Sequence, residues 1–360
     1  MDFLTDTLPA CVLPQGEILP VIAAEGGSSD ASVLSGRGKR RAARLVRELG
    51  GRELDGVFSR QRTLKQAIDC VGVGLHGGRQ VRLTLHPAAP GAGIVFRRGD
   101  LGVDIPARFD AVADTRLCTE IAAYERPDAR IGTIEHVMAA LAGCGIDNAL
   151  VEVDGPEVPI LDGSAAPFVF LIDCAGTVEQ EMPRRVIEIL RPIEVHSGDA
   201  FAALLPAAGE IDASGGGLDM ALSIDFAASA IGRQALRLRL TEAAFREELA
   251  EARTFTLAAE VDALRASGRA RGGNLDNAVV VDGDRVLNPG GLRAPDEFVR
   301  HKLLDAVGDL ALAGAVLRGR FVAHCSGHAL NNRLLRALFA AGDAFRDIVP
   351  TQSSRLSAAA

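Results

Sequence analysis

The strongest chemical signal in this chain is the run Asp296-Glu-Phe-Val-Arg-His301-Lys-Leu-Leu-Asp305-Ala-Val-Gly-Asp309. On a helix, His301, Asp305 and Asp309 fall at i, i+4 and i+8 and share one face. An imidazole and a carboxylate one turn apart can hold one divalent cation. A catalytic zinc site needs three protein ligands and a position left for water. The same spacing also describes a surface helix with an ordinary His–Asp pair, so a further ligand must come from elsewhere. Thr133-Ile-Glu135-His136 offers one. Neighbouring residues lie about 100° apart around a helix, so His136 can bind a metal while Glu135 reaches a water as general base. Glu135 placed there could equally serve as a carboxylate at the positive end of its helix.

Ser326-Gly-His328 lies between an expected strand and an expected helix, where an imidazole can protonate a leaving group. Asp309, two turns along from His301, could hold that imidazole charged. Thr254, in Ala252-Arg-Thr-Phe255, adds a hydroxyl. His76 reads as structural or substrate-facing, and His86, His196 and His324 receive no role. Gly72, Gly74 and Gly77 have dinucleotide-loop spacing, but a strand follows them rather than a helix, so that reading fails.

These residues need elements to hold them. Val81–Leu85 alternates like a half-buried strand, with 94–96 expected as its hairpin partner after Pro90-Gly91 and another strand expected at 149–153. A helix is expected from Thr133, capped by its hydroxyl and closed at Gly143, and another over 166–174. A second unit begins near Arg184, with strands at 186–190, 201–205, 222–226, 235–240, 279–281 and 316–324. Its helices are expected from Thr241 to Ala252, from Pro295 to about 313, and over 330–341. Strands and helices are segregated in two blocks, which predicts an α+β fold. The expected boundaries are an N-terminal extension at 1–58, domain I at 59–183, domain II at 184–346 and a C-terminal tail at 347–360.

The chain has 360 residues, 48% hydrophobic and 24% charged, enough to bury a core without disulfides. Its net charge of −8 disfavours a general nucleic-acid or anionic-membrane surface. There is no Trp, and Tyr124 is the one Tyr, which argues against a base-stacking platform. The basic stretch Arg37–Arg47 reads as a solvated extension rather than a nucleic-acid arm. Six cysteines without a CxxC pair are expected to be free thiols. No apolar run approaches the ~20 residues of a membrane span, and the N-terminus lacks a secretory signal's basic region. A cytoplasmic location is therefore expected, with no stable membrane insertion.

Together the ordered blocks resemble one family. They are Gly72–Gly77, Asp114-Thr-Arg-Leu-Cys-Thr119, Thr133–Gly143, Gly145-Ile-Asp-Asn148, Asp162–Phe168, Arg253-Thr-Phe255, Phe298–Asp309 and Ser326-Gly-His-Ala-Leu-Asn-Asn332. Over about 61–347 the chain is similar to the UDP-3-O-acyl-N-acetylglucosamine deacetylases, the zinc amidases of lipid A biosynthesis. The resemblance implies two domains, each a sheet layered against two helices, with the active site between them. It implies His136, His301 and Asp305 as zinc ligands, Glu135 as general base, His328 as acid or electrostatic stabiliser, and Asp309 as its carboxylate partner. Thr254 would help bind the oxyanion. Lys302, Phe255 and Cys118 would contact substrate, and an insert near 256–287 would form a hydrophobic passage lined by Leu75, Val261 and Val280. The implied reaction is hydrolysis of the acetamide of a UDP-linked acylated amino sugar by water, in a monomer. A two-His, one-Asp set suits Fe²⁺ as well as Zn²⁺. A zinc hydrolase acting on another small substrate is the alternative.

Overall fold

The computed structural model describes residues 60–207 and 217–348. The expected extension at 1–58 and nearly all of the expected tail at 347–360 lie outside the described residues.

The first half opens with β1 (Arg60–Leu64), β2 (Ile68–Val73), β3 (Gln80–Pro87), β4 (Ile94–Arg98) and β5 (Val103–Pro106). Three short strands follow: β6 (Val112–Asp114), β7 (Glu120–Ala122) and β8 (Arg130–Ile131). Helix α1 (Glu135–Gly143), β9 (Ala149–Val153), helix α2 (Ala166–Ala175) and β10 (Thr177–Pro183) complete it. Strands β2, β3, β9, β4 and β5 form a five-stranded sheet in that order. Along β3 the period of two sends Val81, Leu83 and Leu85 into the core. β10 returns to pair antiparallel with β1, bringing Leu64 opposite Thr177.

The second half contains β11 (Val186–Ile189), β12 (Ile193–Ser197), β13 (Ala200–Leu205), β14 (Leu218–Asp225) and β15 (Arg233–Arg239). β16 (Phe255–Leu257), α3 (Ala258–Ala266), β17 (Val279–Asp282) and β18 (Arg285–Val286) follow. The chain then runs through α4 (Glu297–Ala311), β19 (Val316–His324), α5 (His328–Ala340) and β20 (Phe345–Ile348). A seven-stranded sheet is built around β19, which pairs with β13, β11 and β14. β16, α3 and β17 make a small parallel crossover that rests on the turn after β2, where Gly272 N–H donates to the Leu75 carbonyl at 3.0 Å. The α+β class expected from the sequence is the observed one. Among the described residues, no helix is long and apolar enough to cross a membrane.

Helix α1 lies between the halves, with Val137, Met138, Ala139, Ala140 and Leu141 all buried. A helix apolar on every side belongs in a core. Its small residues let neighbours come close. A Cβ at Gly143 would overlap the ring of Phe245, and a Cβ on Gly308 of α4 would overlap the carbonyl of Glu135, the first residue of α1.

Local expectations differ from the structure in four places. Residues 94–96 are not the hairpin partner of β3: β9 inserts between β3 and β4, antiparallel to the first and parallel to the second, so both of its edges are paired. Thr133 does not cap α1: it sits at φ 58°, and its hydroxyl donates to Glu157 Oε1 at 3.1 Å, a longer-range acceptor that outcompetes the helix end. Thr241 does cap, accepting from Ala244 N–H at 3.1 Å. That helix does not run to Ala252, because it widens into a π turn over Phe245–Leu249 that drops both Phe245 and Leu249 into the core. The second half runs to Ile348, two residues past 346, because β20 pairs with β11, Ile348 opposite Val186.

The close crossing of α1 and α4 leads to a stability prediction. Gly308→Ala should destabilise the protein by about 1–3 kcal/mol through overpacking and reduce bound metal. Gly290→Ala, where nothing lies within 4 Å of the new methyl, should leave both unchanged. Urea melts and metal analysis of the two variants check this.

Candidate metal centre and active site

The crossing of α1 and α4 sets the site. Phe298, Val299, Leu303 and Leu304 of α4 are each at 0% exposure, and this apolar packing seats the helix in the core. His301 and Asp305 then face His136 from α1. His301 Nε2 lies 3.3 Å and His136 Nε2 3.6 Å from Asp305 Oδ1. The two imidazoles meet edge to face, with centroids 5.0 Å apart. One donor atom from each of the three residues lies within 4.8 Å of the others, and all three residues are buried.

This donor set fits a divalent ion. Asp305 Oδ1 is buried without a hydrogen-bond partner, an uncompensated cost unless something positive binds it. Asp305 Oδ2 accepts from Lys302 Nζ at 2.9 Å, so one oxygen is held and the other is left for a ligand. His301 Nδ1–H donates to the Ala252 carbonyl at 3.0 Å, which leaves Nε2 as a lone-pair donor. Burial lowers the His301 pKa to about 4, so the ring is neutral at pH 7. Burial opposes ionisation of Asp305, but the His301 ring and the Lys302 ammonium outweigh it and hold the carboxyl well below its ordinary range. Two imidazoles and one carboxylate suit Zn²⁺ or Fe²⁺.

A second group of side chains borders the first. Glu135 is buried at the start of α1, and burial raises its pKa. Its Oε2 accepts from Thr119 N–H at 3.0 Å, while Oε1 lies 3.9 Å from His328 Nε2. His328 opens α5 and donates through Nδ1 to Asp309 Oδ2 at 2.9 Å. Burial alone would lower the His328 pKa, but the Asp309 and Glu135 carboxylates overcome it and raise it to about 9. Asp309 also accepts from Asn331 Nδ2 at 2.9 Å and from Thr119 Oγ1 at 2.6 Å, so three donors hold it. Ser326 Oγ donates to Asn331 Oδ1 at 2.7 Å and fixes the amide.

Thr254 and Phe255 lead away from this centre into a cavity of about 220 Å³, which Leu75, Val261 and Val280 also line. The cavity opens between the turn after β2 and the crossover β16–α3–β17. Phe255 stands edge-on to His301 at 6.2 Å, and Lys302 Nζ lies 5.7 Å from the Phe255 centroid. Cys118 does not line this cavity; it is buried, with a thiol pKa pushed up by burial. His76 does line it, and both ring nitrogens are buried without a partner. A larger hollow of about 570 Å³ lies elsewhere, lined by Arg62, Leu141, Asp147, Arg184 and Val307. Its basic side chains are already paired, Arg184 with Asp147 and Arg62 with Glu242, and none of the clustered imidazoles reaches it.

The structure thus gathers His136, His301, Asp305, Glu135, His328, Asp309, Lys302, Thr254 and Phe255 into one region. The sequence reading assigned nothing to Thr119, Ser326 or Asn331 individually. No spacing signal marks Thr119, because it acts on residues 16 and 190 positions away.

A pH prediction follows from His328. Its folded pKa of about 9 lies above the unfolded value of 6.5, so its contribution to stability is complete below pH 6.5 and disappears as the pH rises through 9. Urea melts of metal-free protein should lose on the order of 3 kcal/mol across this window relative to His328→Gln, which lacks the titration.

The family model for UDP-3-O-acyl N-acetylglycosamine deacetylase matches residues 61–340. The chain is similar to the UDP-3-O-acyl-N-acetylglucosamine deacetylase of Phenylobacterium zucineum (strain HLK1), 53% identical over 289 residues, covering 79% of this chain and 95% of that protein. It is also 49% identical over 280 residues to the protein of that name from Anaeromyxobacter sp. (strain Fw109-5), covering 78% of this chain and 88% of the relative. With its central helices, its clustered imidazoles and carboxylates and nearly its whole described length inside that match, the chain belongs to the UDP-3-O-acyl N-acetylglycosamine deacetylase family.

Proposed function

We propose that this protein hydrolyses the acetamide of UDP-3-O-acyl-N-acetylglucosamine, giving acetate and the free 2-amino sugar, the deacetylation step of lipid A biosynthesis. The observation that carries the reading is the meeting of His136, His301 and Asp305 within 4.8 Å, beside a Glu135–His328 pair, in a chain of this family. His136, His301 and Asp305 hold the metal, with Zn²⁺ the preferred ion and Fe²⁺ the other that this donor set suits. A divalent ion bound there supplies Lewis-acid polarisation of the amide carbonyl and a more acidic water.

The protein's own groups do the rest. Glu135, made more basic by burial, takes the proton of the attacking water through Oε1, its free oxygen. Thr254 donates to the carbonyl oxygen as negative charge develops there. His328, kept protonated at neutral pH by Asp309, faces the same point and gives its proton to the departing amine. Lys302 holds Asp305 by one oxygen, and with Phe255 forms the wall against the sugar. The cavity beyond Thr254 receives the acyl chain, which Leu75, Val261 and Val280 exclude from water. Cys118 is outside that lining and supports the backbone leading to Glu135. The free thiols Cys70, Cys118, Cys144 and Cys174 suit a reducing cytoplasm.

Acetate release from UDP-3-O-acyl-N-acetylglucosamine, measured together with metal content, tests this. A chelator should abolish turnover and Zn²⁺ should restore it; turnover that survives complete metal removal refutes the reading. His301→Ala and Asp305→Ala should lose the metal. Glu135→Gln should keep it and lose about 10²- to 10⁴-fold in kcat. Val280→Phe should raise KM about 10-fold for a long-chain substrate, from overpacking of the cavity, and leave that for a short-chain analogue unchanged.

A further inference from the structure

We infer that Thr119 is a positioning residue that locks the proposed base and the proposed acid into one arrangement across the two halves of the molecule; this rests on the deacetylase reading above. Thr119 is 1% exposed and precedes β7. Its backbone N–H occupies Glu135 Oε2 at 3.0 Å, so the carboxylate presents only Oε1 toward His328. Its hydroxyl donates to Asp309 Oδ1 at 2.6 Å, while Oδ2 of the same carboxylate receives His328 Nδ1 at 2.9 Å. Its carbonyl accepts from Ile134 N–H at 3.3 Å, tying it to the start of α1. Each polar group of this one residue is therefore committed, two of them directly to the proton-transfer carboxylates.

The hydroxyl is the component that a substitution can remove. Thr119 comes from the first half and Asp309 from the second, 190 residues later, so this hydrogen bond joins the machinery of the two halves. Without it, Asp309 Oδ1 is buried with its donor gone, and only the two donors on Oδ2, His328 Nδ1 and Asn331 Nδ2, hold the carboxylate about its terminal torsion. A carboxylate held from one oxygen alone can rock, which loosens the imidazole that faces Glu135 Oε1. Thr119 reaches neither the metal ligands nor the cavity lining, so it acts through Asp309 and Glu135 and touches no substrate. Local strain supports a demanding placement: Leu117, two residues before it, holds φ 70° without being glycine.

The test compares variants of the metal-loaded full chain. Thr119→Val keeps the shape and removes the hydroxyl; it should lower kcat about 10- to 100-fold, with KM within about 2-fold and full metal content. Thr119→Ser should return kcat to within about 3-fold of the parent, because the donor is restored. In an Asp309→Ala background, Thr119→Val should cost less than about 2-fold more, since its acceptor is already gone. Should Thr119→Val melt early or lose metal, Thr119→Ala removes the same hydroxyl and takes its place. A kcat near the parent's in the hydroxyl-free variants, a serine variant as impaired as valine, or additive losses with Asp309→Ala each overturn the role. Glu135→Gln run in parallel separates the two ideas. If it turns over normally, the site reading itself fails; if it is inactive while the Thr119 series is flat, only the positioning role fails.

Discussion

Everything in this site depends on the distance between two helix backbones. Gly308 allows α4 to lie against the first carbonyl of α1, where any side chain would overlap Glu135. A helix pair ordinarily keeps 8–10 Å between axes, and only a residue without Cβ permits a closer crossing at that point. The crossing brings His136 from one half against His301 and Asp305 from the other. It also sets Glu135 beside His328, since the glycine and Asp309 are adjacent on α4. Apolar burial of α1 and of Phe298, Val299, Leu303 and Leu304 on α4 supplies the free energy that holds this approach.

Within that enclosure, two imidazoles of the same chemistry are driven in opposite directions. His301 gives its Nδ1–H to a neutral carbonyl, and burial lowers its pKa to about 4. His328 gives its Nδ1–H to a carboxylate, and the charge raises its pKa to about 9. One ring is therefore a neutral lone-pair donor suited to a metal, and the other a cation suited to giving up a proton. The partner of the distal nitrogen, rather than the degree of burial, separates the two roles. Asp309 can sustain this because three donors share its charge.

The crossover β16–α3–β17 adds a wall that neither sheet provides. It meets the turn after β2 through Gly272, whose Cβ would overlap the Gly74 carbonyl. The cavity between them begins at Thr254 and Phe255, and the Ala252 carbonyl, two residues earlier, orients His301. Arg253 between them is fastened to Glu297 at the start of α4 by a buried ion pair at 2.8 Å. The same short segment thus orients a metal-ligand candidate, presents a hydroxyl and opens the cavity, so the metal centre and the apolar lining cannot move independently.

Part of this was legible in the amino-acid order. The helical period placed His301, Asp305 and Asp309 on one face, and the two-residue alternation of Val81, Leu83 and Leu85 marked a core strand. Both are local regularities imposed by backbone geometry. Cap and boundary readings were weaker: Thr133 has a capping residue's chemistry, yet its hydroxyl serves Glu157, 24 positions away. The short strands β6, β7 and β8 carry too few residues to show a period, and the β1–β10 pairing joins segments more than a hundred positions apart. Thr119 left no trace at all, since a threonine before a short strand looks the same whether or not a carboxylate 190 residues later needs its proton. Local order along the chain determined which residues share a helix face. Only the packed tertiary structure decided which faces meet, because that choice is made by side-chain volumes and hydrogen-bond partners that become neighbours only once the core has closed.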